Sequence, residues 1–151
     1  MELKKNEQNQ YRLYVDGEEF FVKGAGCEGG DVAALAAHGG NSFRTWMDQE
    51  GHPSEQSVLD EAQEHGLKVL MGLEVGRERH GHDYNDEAWV AEQFDSIKAK
   101  VLRYKDHPAL LAWVIGNEIN LGAENLKVFD AVNDISKMIH EIDENHLTTF
   151  T

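Results

Sequence analysis

The order of apolar runs along the chain constrains its fold more than any other feature. Apolar runs over residues 42–47, 68–75 and 110–116 alternate with segments over 86–105 and 123–143, whose apolar side chains recur at helical spacing. A short apolar run with few polar interruptions is typical of a strand that is covered on both faces. Because such strands alternate with helices, we expect an α/β protein built on a parallel sheet.

A short β-hairpin is predicted at the N-terminus. Its two arms, within residues 11–22, flank Asp16-Gly17, which is a favoured two-residue hairpin turn. The βα units then extend over about 20–147, and Asp31 is a predicted N-cap of the first helix. Since no linker or low-complexity stretch interrupts the pattern, we expect residues 1–151 to form a single domain.

The charge of the chain excludes some classes of partner. The sequence has 28 acidic and 14 basic residues, which gives a formal net charge of −14 at pH 7. Such a charge repels nucleic acid and anionic membranes, so we expect neither as a partner, whereas a neutral, hydroxyl-rich ligand is compatible. The first residues, MELKKNEQNQ, lack the apolar core of a signal peptide. We therefore expect a protein that is either cytoplasmic or secreted with its leader removed.

The glycine-rich stretch VKGAGCEGGD, residues 22–31, fits two parallel folds. The pattern G-x-G-x-x-G after a strand occurs in dinucleotide-binding folds, where an acidic residue about 20 positions later holds the ribose. Here the second strand candidate reads SFRTW and ends in Arg44, Thr45 and Trp46, with Asp48 only after them. The other interpretation is the first βα loop of a barrel, whose glycines supply positive φ angles.

The segment LLAWVIGNEIN, residues 110–120, favours the barrel. Its apolar strand delivers Asn117 and Glu118 at the carboxyl end, which is where β/α barrels place their catalytic groups. A carboxyl group in that place is suited to general acid–base catalysis. The alternative is that Glu118 only begins a loop and caps the next helix.

Four segments together resemble one enzyme family. FFVKGAG, NSFRTW, VLDEAQEHGLKVLMGLEV and VLRYKDHPALLAWVIGNEIN follow one another along the chain. They resemble the first four strands of the (β/α)8 TIM-barrel catalytic domain of glycoside hydrolase family 2 and its clan A relatives. The resemblance implies a half barrel of four βα units plus the start of a fifth strand. It also implies a retaining hydrolase of β-linked O-glycosides that uses no cofactor and no metal ion.

The resemblance assigns roles to polar residues at the ends of strands two and four. Glu118 matches the acid/base, which protonates the departing glycosidic oxygen and then activates water, and Asn117 matches the residue that hydrogen-bonds the sugar 2-hydroxyl. Arg44 matches the arginine that holds the nucleophilic carboxylate ionised. Trp46 is a candidate for stacking on a sugar, with a place in the core as the alternative.

The loop after the third strand candidate carries His80, His82 and Asp83. We interpret His80 and His82 as candidate contacts to the carbohydrate substrate. A metal site that includes Asp83 and a solvated loop without a role are the alternatives.

A half barrel needs a partner for two reasons. The nucleophile of the family lies on strand seven, which these residues do not reach, and Glu118 alone cannot run a retaining mechanism. The open edges of the sheet also need cover. We expect a homodimer or the missing C-terminal half of the barrel to supply both. In a two-fold dimer, Glu74 of the second copy is a candidate for the missing carboxylate, and a glutamate without a role is the alternative. The alternative function is a non-catalytic carbohydrate-binding or scaffold half barrel.

Overall fold

The secondary structure alternates strands and helices after a small N-terminal sheet. A computed structural model describes residues 1–27, 30–46 and 53–151. The N-terminal sheet contains β1 (Glu2–Lys5), β2 (Tyr11–Val15) and β3 (Glu18–Glu19). The elements that follow are β4 (Gly24–Gly26), α1 (Val32–Ala37), β5 (Ser42–Arg44), α2 (Glu55–Glu64), β6 (Lys68–Leu73), α3 (Glu87–Tyr104), β7 (Leu110–Ile115), α4 (Lys127–Ile142) and β8 (Leu147–Phe150). A short 3₁₀ helix, Glu78–His80, lies between β6 and α3.

The second sheet is parallel, and its strands lie in the order in which they occur in the chain. The order is β4-β5-β6-β7-β8, and each neighbouring pair is parallel. A dinucleotide-binding fold reverses its strand order at a switch point, and this sheet has no reversal among its described strands. The dinucleotide alternative is therefore wrong, and the predicted order of four βα units followed by a fifth strand is confirmed. Asp48 and the middle of the glycine-rich stretch, residues 28–29, lie outside the described residues.

The N-terminal sheet has three strands where two were predicted. The turn at Asp16-Gly17 is confirmed, with φ angles of 52° and 87°. Strand β1 pairs antiparallel with β2 and places Leu3 opposite Leu13. It was missed because its sequence, ELKK, has one apolar residue among charges and no alternation. Strand β3 is shorter than the predicted second arm and covers Glu18–Glu19 only.

The helices begin close to their predicted positions, with one exception. Asp31 caps α1, since its Oδ1 accepts a hydrogen bond from the backbone N–H of Ala34 at 2.8 Å. Helix α3 lies within the predicted 86–105, whereas α4 begins at Lys127 instead of residue 123. Within the described ranges, no helix is both long enough and apolar enough to cross a bilayer.

The core lies between the central strands of the parallel sheet and the helices that cover it. All six residues of β7 are buried, and Trp113 has no exposed surface. Helix α4 turns one apolar face toward the sheet, and that face consists of Val128, Ala131, Val132, Ile135, Met138 and Ile139. The burial of β7 on both faces explains why its sequence shows a continuous apolar run and no alternation.

One carboxylate is buried at the amino-terminal side of the sheet. Asp143 directly follows α4 and is 2% exposed. Its Oδ2 accepts the indole N–H of Trp113 at 2.8 Å, and His146 Nδ1 lies 2.9 Å from the same oxygen. Burial by itself raises the pKa of Asp143, but the bonds from Trp113, His146 and the backbone N–H of Asn145 outweigh it and leave the pKa lowered. The carboxylate therefore ties β7 to the turn before β8.

Replacement of Asp143 tests this link. A group whose pKa is lower in the folded state stabilises the fold above its unfolded pKa, and the contribution is lost as the pH falls through the folded value. Because the pKa of Asp143 lies below its ordinary value of 3.8, we expect the free energy of unfolding to fall as the pH drops below about 4. Asp143→Asn should lower that free energy by about 1–3 kcal/mol at neutral pH and flatten its acid dependence.

Urea unfolding across this pH range measures both effects. Asp134→Asn, an exposed carboxylate on α4 beside Lys137, is the matched control and should change stability by less than about 0.5 kcal/mol. An Asp143→Asn variant with the stability and acid dependence of the unaltered protein would contradict the assigned role.

Candidate active site

Three polar side chains meet at the carboxyl edge of the parallel sheet. Arg44 is the last residue of β5, Asn117 follows β7, and Thr151 follows β8. Nη2 of Arg44 donates to Oδ1 of Asn117 at 2.7 Å and to Oγ1 of Thr151 at 2.8 Å. Strand β6 lies between β5 and β7, so the guanidinium reaches past one whole strand. Such a bridge requires the sheet to curl toward this face, as the sheet of a barrel does.

Trp46 lies beside Arg44. The guanidinium carbon of Arg44 is 5.9 Å from the centre of a Trp46 ring, within the range of a cation–π contact. The same indole covers Gly26, where a Cβ atom would lie 3.1 Å from it. Nε of Arg44 is buried and has no hydrogen-bond partner among the described residues. The bond from Arg44 to Asn117 was not predicted, and the buried Nε donor of the same guanidinium is left over.

A tight turn presents Asn117 and Glu118. The residues on either side of the Asn117 side chain, Gly116 and Glu118, have φ angles of 74° and 53°. A Cβ at Gly116 would lie 2.5 Å from Cγ2 of Ile119, which is buried. A left-handed glutamate is uncommon and marks a position that the surroundings determine. The side chain of Glu118 is 56% exposed, so its carboxylate is open to a ligand.

The loop after β6 contacts this turn. Nη2 of Arg79 lies 2.9 Å from Oε2 of Glu118, and Nη1 of the same guanidinium donates to the carbonyl oxygen of Glu118 at 2.8 Å. Oε2 of Glu78 accepts hydrogen bonds from the backbone N–H groups of Glu124 and Asn125, at 2.6 and 3.0 Å. Sequence reasoning missed both residues, because a polar loop of mixed charge carries no periodic signal for a contact across the sheet.

The other candidate residues also lie in the loop after β6. His80 belongs to the 3₁₀ helix, and its pKa is lowered first by desolvation and then by the charges of Arg77 and Arg79. The ring of His82 stacks on Trp89 with centroids 4.7 Å apart. His82, Trp89 and Glu74 line a cavity of about 200 Å³ between the loop and α3. The structure thus groups Glu74 with His82 and not with Arg44.

Across the described residues, no group of three or more His, Cys, Asp or Glu side chains is arranged to hold a metal ion.

The sequence between β4 and the end of the chain identifies the family. The family described as glycosyl hydrolases family 2, TIM barrel domain, matches residues 30–151. The chain belongs to this family. The matched stretch includes Arg44, Trp46, Asn117 and Glu118, and with them the whole candidate site of this family 2 chain.

Curated relatives are longer than the family 2 chain. A β-galactosidase of Arthrobacter sp. (strain B7) is 29% identical over an alignment of 143 residues, and the match covers 87% of this chain and 13% of that protein. Mannan endo-1,4-β-mannosidase F of Aspergillus clavatus is 30% identical over an alignment of 108 residues, and the match covers 61% of this chain and 24% of that protein. The chain thus spans less than a quarter of the length of these two relatives.

Solved structures confirm the fold of the family 2 chain. A β-D-glucuronidase of Dictyoglomus thermophilum has a TM-score of 0.64 and 16% identity, over 98% of this chain and 28% of that one. A family 2 β-galacturonidase of Eisenbergiella tayi has a TM-score of 0.65 and 17% identity, over 99% of this chain and 28% of that one. At this level of identity the likeness shows the fold. The five parallel strands and their helices are therefore part of a TIM barrel, as predicted.

Replacement of Gly116 tests the turn that presents the site. Gly116→Ala adds the cost of a left-handed alanine to the contact with Ile119, and we expect it to lower the free energy of unfolding by about 2–4 kcal/mol. Gly81→Ala is the matched control, because Gly81 has a φ of 92° and open space around its Cα. It should cost only about 1–2 kcal/mol. Urea unfolding measures the free energy of unfolding of both variants. Equal losses would mean that the contact with Ile119 does not contribute to the effect of Gly116→Ala.

Proposed function

We propose that this chain forms the acid/base half of the barrel of a retaining glycosidase that acts on β-linked sugars. The observation that carries the proposal is the 2.7 Å hydrogen bond from Arg44 to Asn117, beside an accessible Glu118, at the carboxyl edge of the sheet. That edge is where TIM-barrel enzymes hold their catalytic groups. Membership of family 2 supports the same reaction class.

Each polar residue of the edge has a chemical role in this proposal. Glu118 protonates the departing glycosidic oxygen and then, as a carboxylate, removes a proton from the attacking water. Asn117 accepts from Arg44 through its Oδ1, which fixes the orientation of the amide and leaves its N–H donors for the 2-hydroxyl of the sugar. Trp46, half-buried beside Arg44, offers a ring face against which a sugar can pack.

The second carboxylate has to come from outside these five strands. A retaining mechanism places its two carboxyl groups about 5–5.5 Å apart. The unpartnered Nε of Arg44 is a buried donor of a charged group, for which a carboxylate is the strongest acceptor. In the proposal, the nucleophile of the remaining barrel half accepts from this guanidinium.

The uncovered edges of the parallel sheet also need a partner from outside these five strands. Strands β4 and β8 are the outer strands of the described sheet. Phe21, just before β4, is 75% exposed, and Phe150, at the end of β8, is 57% exposed. We infer that a C-terminal barrel half or a second copy of the chain covers them. In a homodimer, Glu74 of the second copy is the candidate nucleophile. Its place in the cavity with His82 and Trp89 favours the alternative, a glutamate without a catalytic role.

One observation favours a second candidate function. Oε2 of Glu118 already forms an ion pair with Arg79. A half barrel that binds carbohydrate without hydrolysing it would tolerate this pair. Such a binding or scaffold module is therefore the alternative to the glycosidase.

Replacement of Glu118 separates the two functions. We expect Glu118→Gln to lower the hydrolysis of aryl β-glycosides by about 10²–10⁴-fold, the usual contribution of a general acid–base group. Glu144→Gln, an exposed residue before β8 on the amino-terminal side of the sheet, is the matched control and should keep full activity. Initial rates with nitrophenyl glycosides measure the effect in the assembled protein. Sugar binding without turnover in that protein would refute hydrolysis and support the binding module.

The oligomeric state shows whether a second copy of the chain covers the open edges of the sheet. For the purified chain of 17.0 kDa, we expect light scattering to give twice the monomer mass at high concentration. Phe150→Ser should shift the equilibrium toward the monomer, because it removes an exposed apolar side chain from β8. Leu3→Ser, on the N-terminal sheet, is the control. A monomer with intact secondary structure at every concentration would exclude the dimer and leave the C-terminal half as the cover.

A further inference from the structure

Arg79 contacts several atoms of the turn that carries Glu118. Besides the ion pair with Oε2 and the bond to the carbonyl oxygen of Glu118, Nη1 of Arg79 donates to the carbonyl oxygen of Leu121 at 3.3 Å. Its Cβ also lies against Gly122, where an added Cβ would be 3.6 Å away. One guanidinium therefore contacts the backbone at two residues and a side chain at one of them. This is the geometry for which arginine is better suited than lysine.

Glu78, the residue before Arg79, fixes the other end of the segment that begins at Glu118. Glu78 holds the backbone N–H groups of Glu124 and Asn125 just before α4, which begins at Lys127. Carboxylate bonds to such N–H groups act like a helix cap supplied from another part of the chain. Glu78 and Arg79 thus hold both ends of the segment 118–125.

Glu118 depends on an external contact for its conformation. Its φ of 53° is uncommon for a residue other than glycine and persists only where the surroundings determine it. Within the described ranges, Arg79 is the side chain that hydrogen-bonds the carboxylate of Glu118. The neighbouring Asn117 is held by a different arginine, Arg44, from a different strand. Loss of Arg79 should therefore free Glu118 while the bond between Arg44 and Asn117 remains.

We propose that Arg79 is the positioning residue of Glu118, fixing both its left-handed backbone and the direction of its carboxylate. An effect of Arg79 on proton transfer by Glu118 presupposes the proposed function. Arg79 touches no reacting atom in this proposal and acts through Glu118.

Hydrogen exchange tests the positioning without any assay of activity. In Arg79→Ala, we expect the amides of residues 118–125 to exchange at least about tenfold faster, while the amides of β7 keep their protection. Arg79→Lys should give an intermediate increase, because lysine can keep the ion pair but not all of the carbonyl contacts. Arg103→Ala is the matched control, since Arg103 lies over Tyr104 at the end of α3, and it should leave residues 118–125 unchanged.

The leaving-group dependence of hydrolysis tests the link to proton transfer. A phenyl β-glycoside needs a proton on its leaving oxygen, whereas a 2,4-dinitrophenyl β-glycoside does not. We expect Arg79→Ala to lower kcat/KM about ten- to hundredfold for the phenyl substrate and less than about threefold for the dinitrophenyl substrate. A general loss of folded protein would lower both values equally.

The outcomes separate this inference from the proposed function. Unchanged exchange of residues 118–125 in Arg79→Ala overturns the positioning role, whatever the kinetics show. Faster exchange with equal losses for both substrates overturns it as well, because Arg79 would then act on the fold and not on the acid. If the unaltered protein, assembled with the rest of the barrel, hydrolyses neither substrate, the proposed function fails. The exchange result still decides whether Arg79 positions Glu118.

Discussion

The candidate site depends on the parallel direction of five strands. Parallel strands end at one common edge, so the residues that follow β5, β7 and β8 meet there although they are far apart in sequence. The guanidinium of Arg44 joins these ends and requires the sheet to curl. Because β7 is buried along its whole length, Asn117 and Glu118 begin from a fixed position at this edge.

Two arginines from different elements of the chain orient two neighbouring residues. Arg44, at the end of β5, holds the amide of Asn117, and Arg79, after β6, holds the carboxylate and the carbonyl of Glu118. Glu118 has a left-handed φ, and its side chain and that of Asn117 contact different partners. In a chain with a net charge of −14, these cations pair with local polar groups, and the edge remains suited to an uncharged, hydroxyl-rich ligand.

The sequence predicted those features that follow from periodicity and from strand ends. The order of the βα units belongs to this class, because the alternation of apolar strands and helices determines it. The bond between Arg44 and Asn117 was not predicted, although both residues stand at predicted strand ends. Strand β1 and the role of Arg79 do not belong to this class, since ELKK lacks a pattern and the partner of a loop arginine depends on how two loops pack. The late start of α4 has a similar cause, because Glu78 engages the N–H groups of residues just before it.

The three tryptophans lie in different surroundings, so their fluorescence reports on different parts of the molecule. Trp113 is sealed in the core against Asp143, Trp89 stacks on His82 beside the small cavity, and Trp46 lies next to Arg44 at the carboxyl edge. Emission from Trp113 therefore follows the integrity of the core, whereas emission from Trp46 follows whatever packs against the site. With Trp89 replaced by phenylalanine, a single fluorescence spectrum distinguishes occupancy of the edge from loss of the fold.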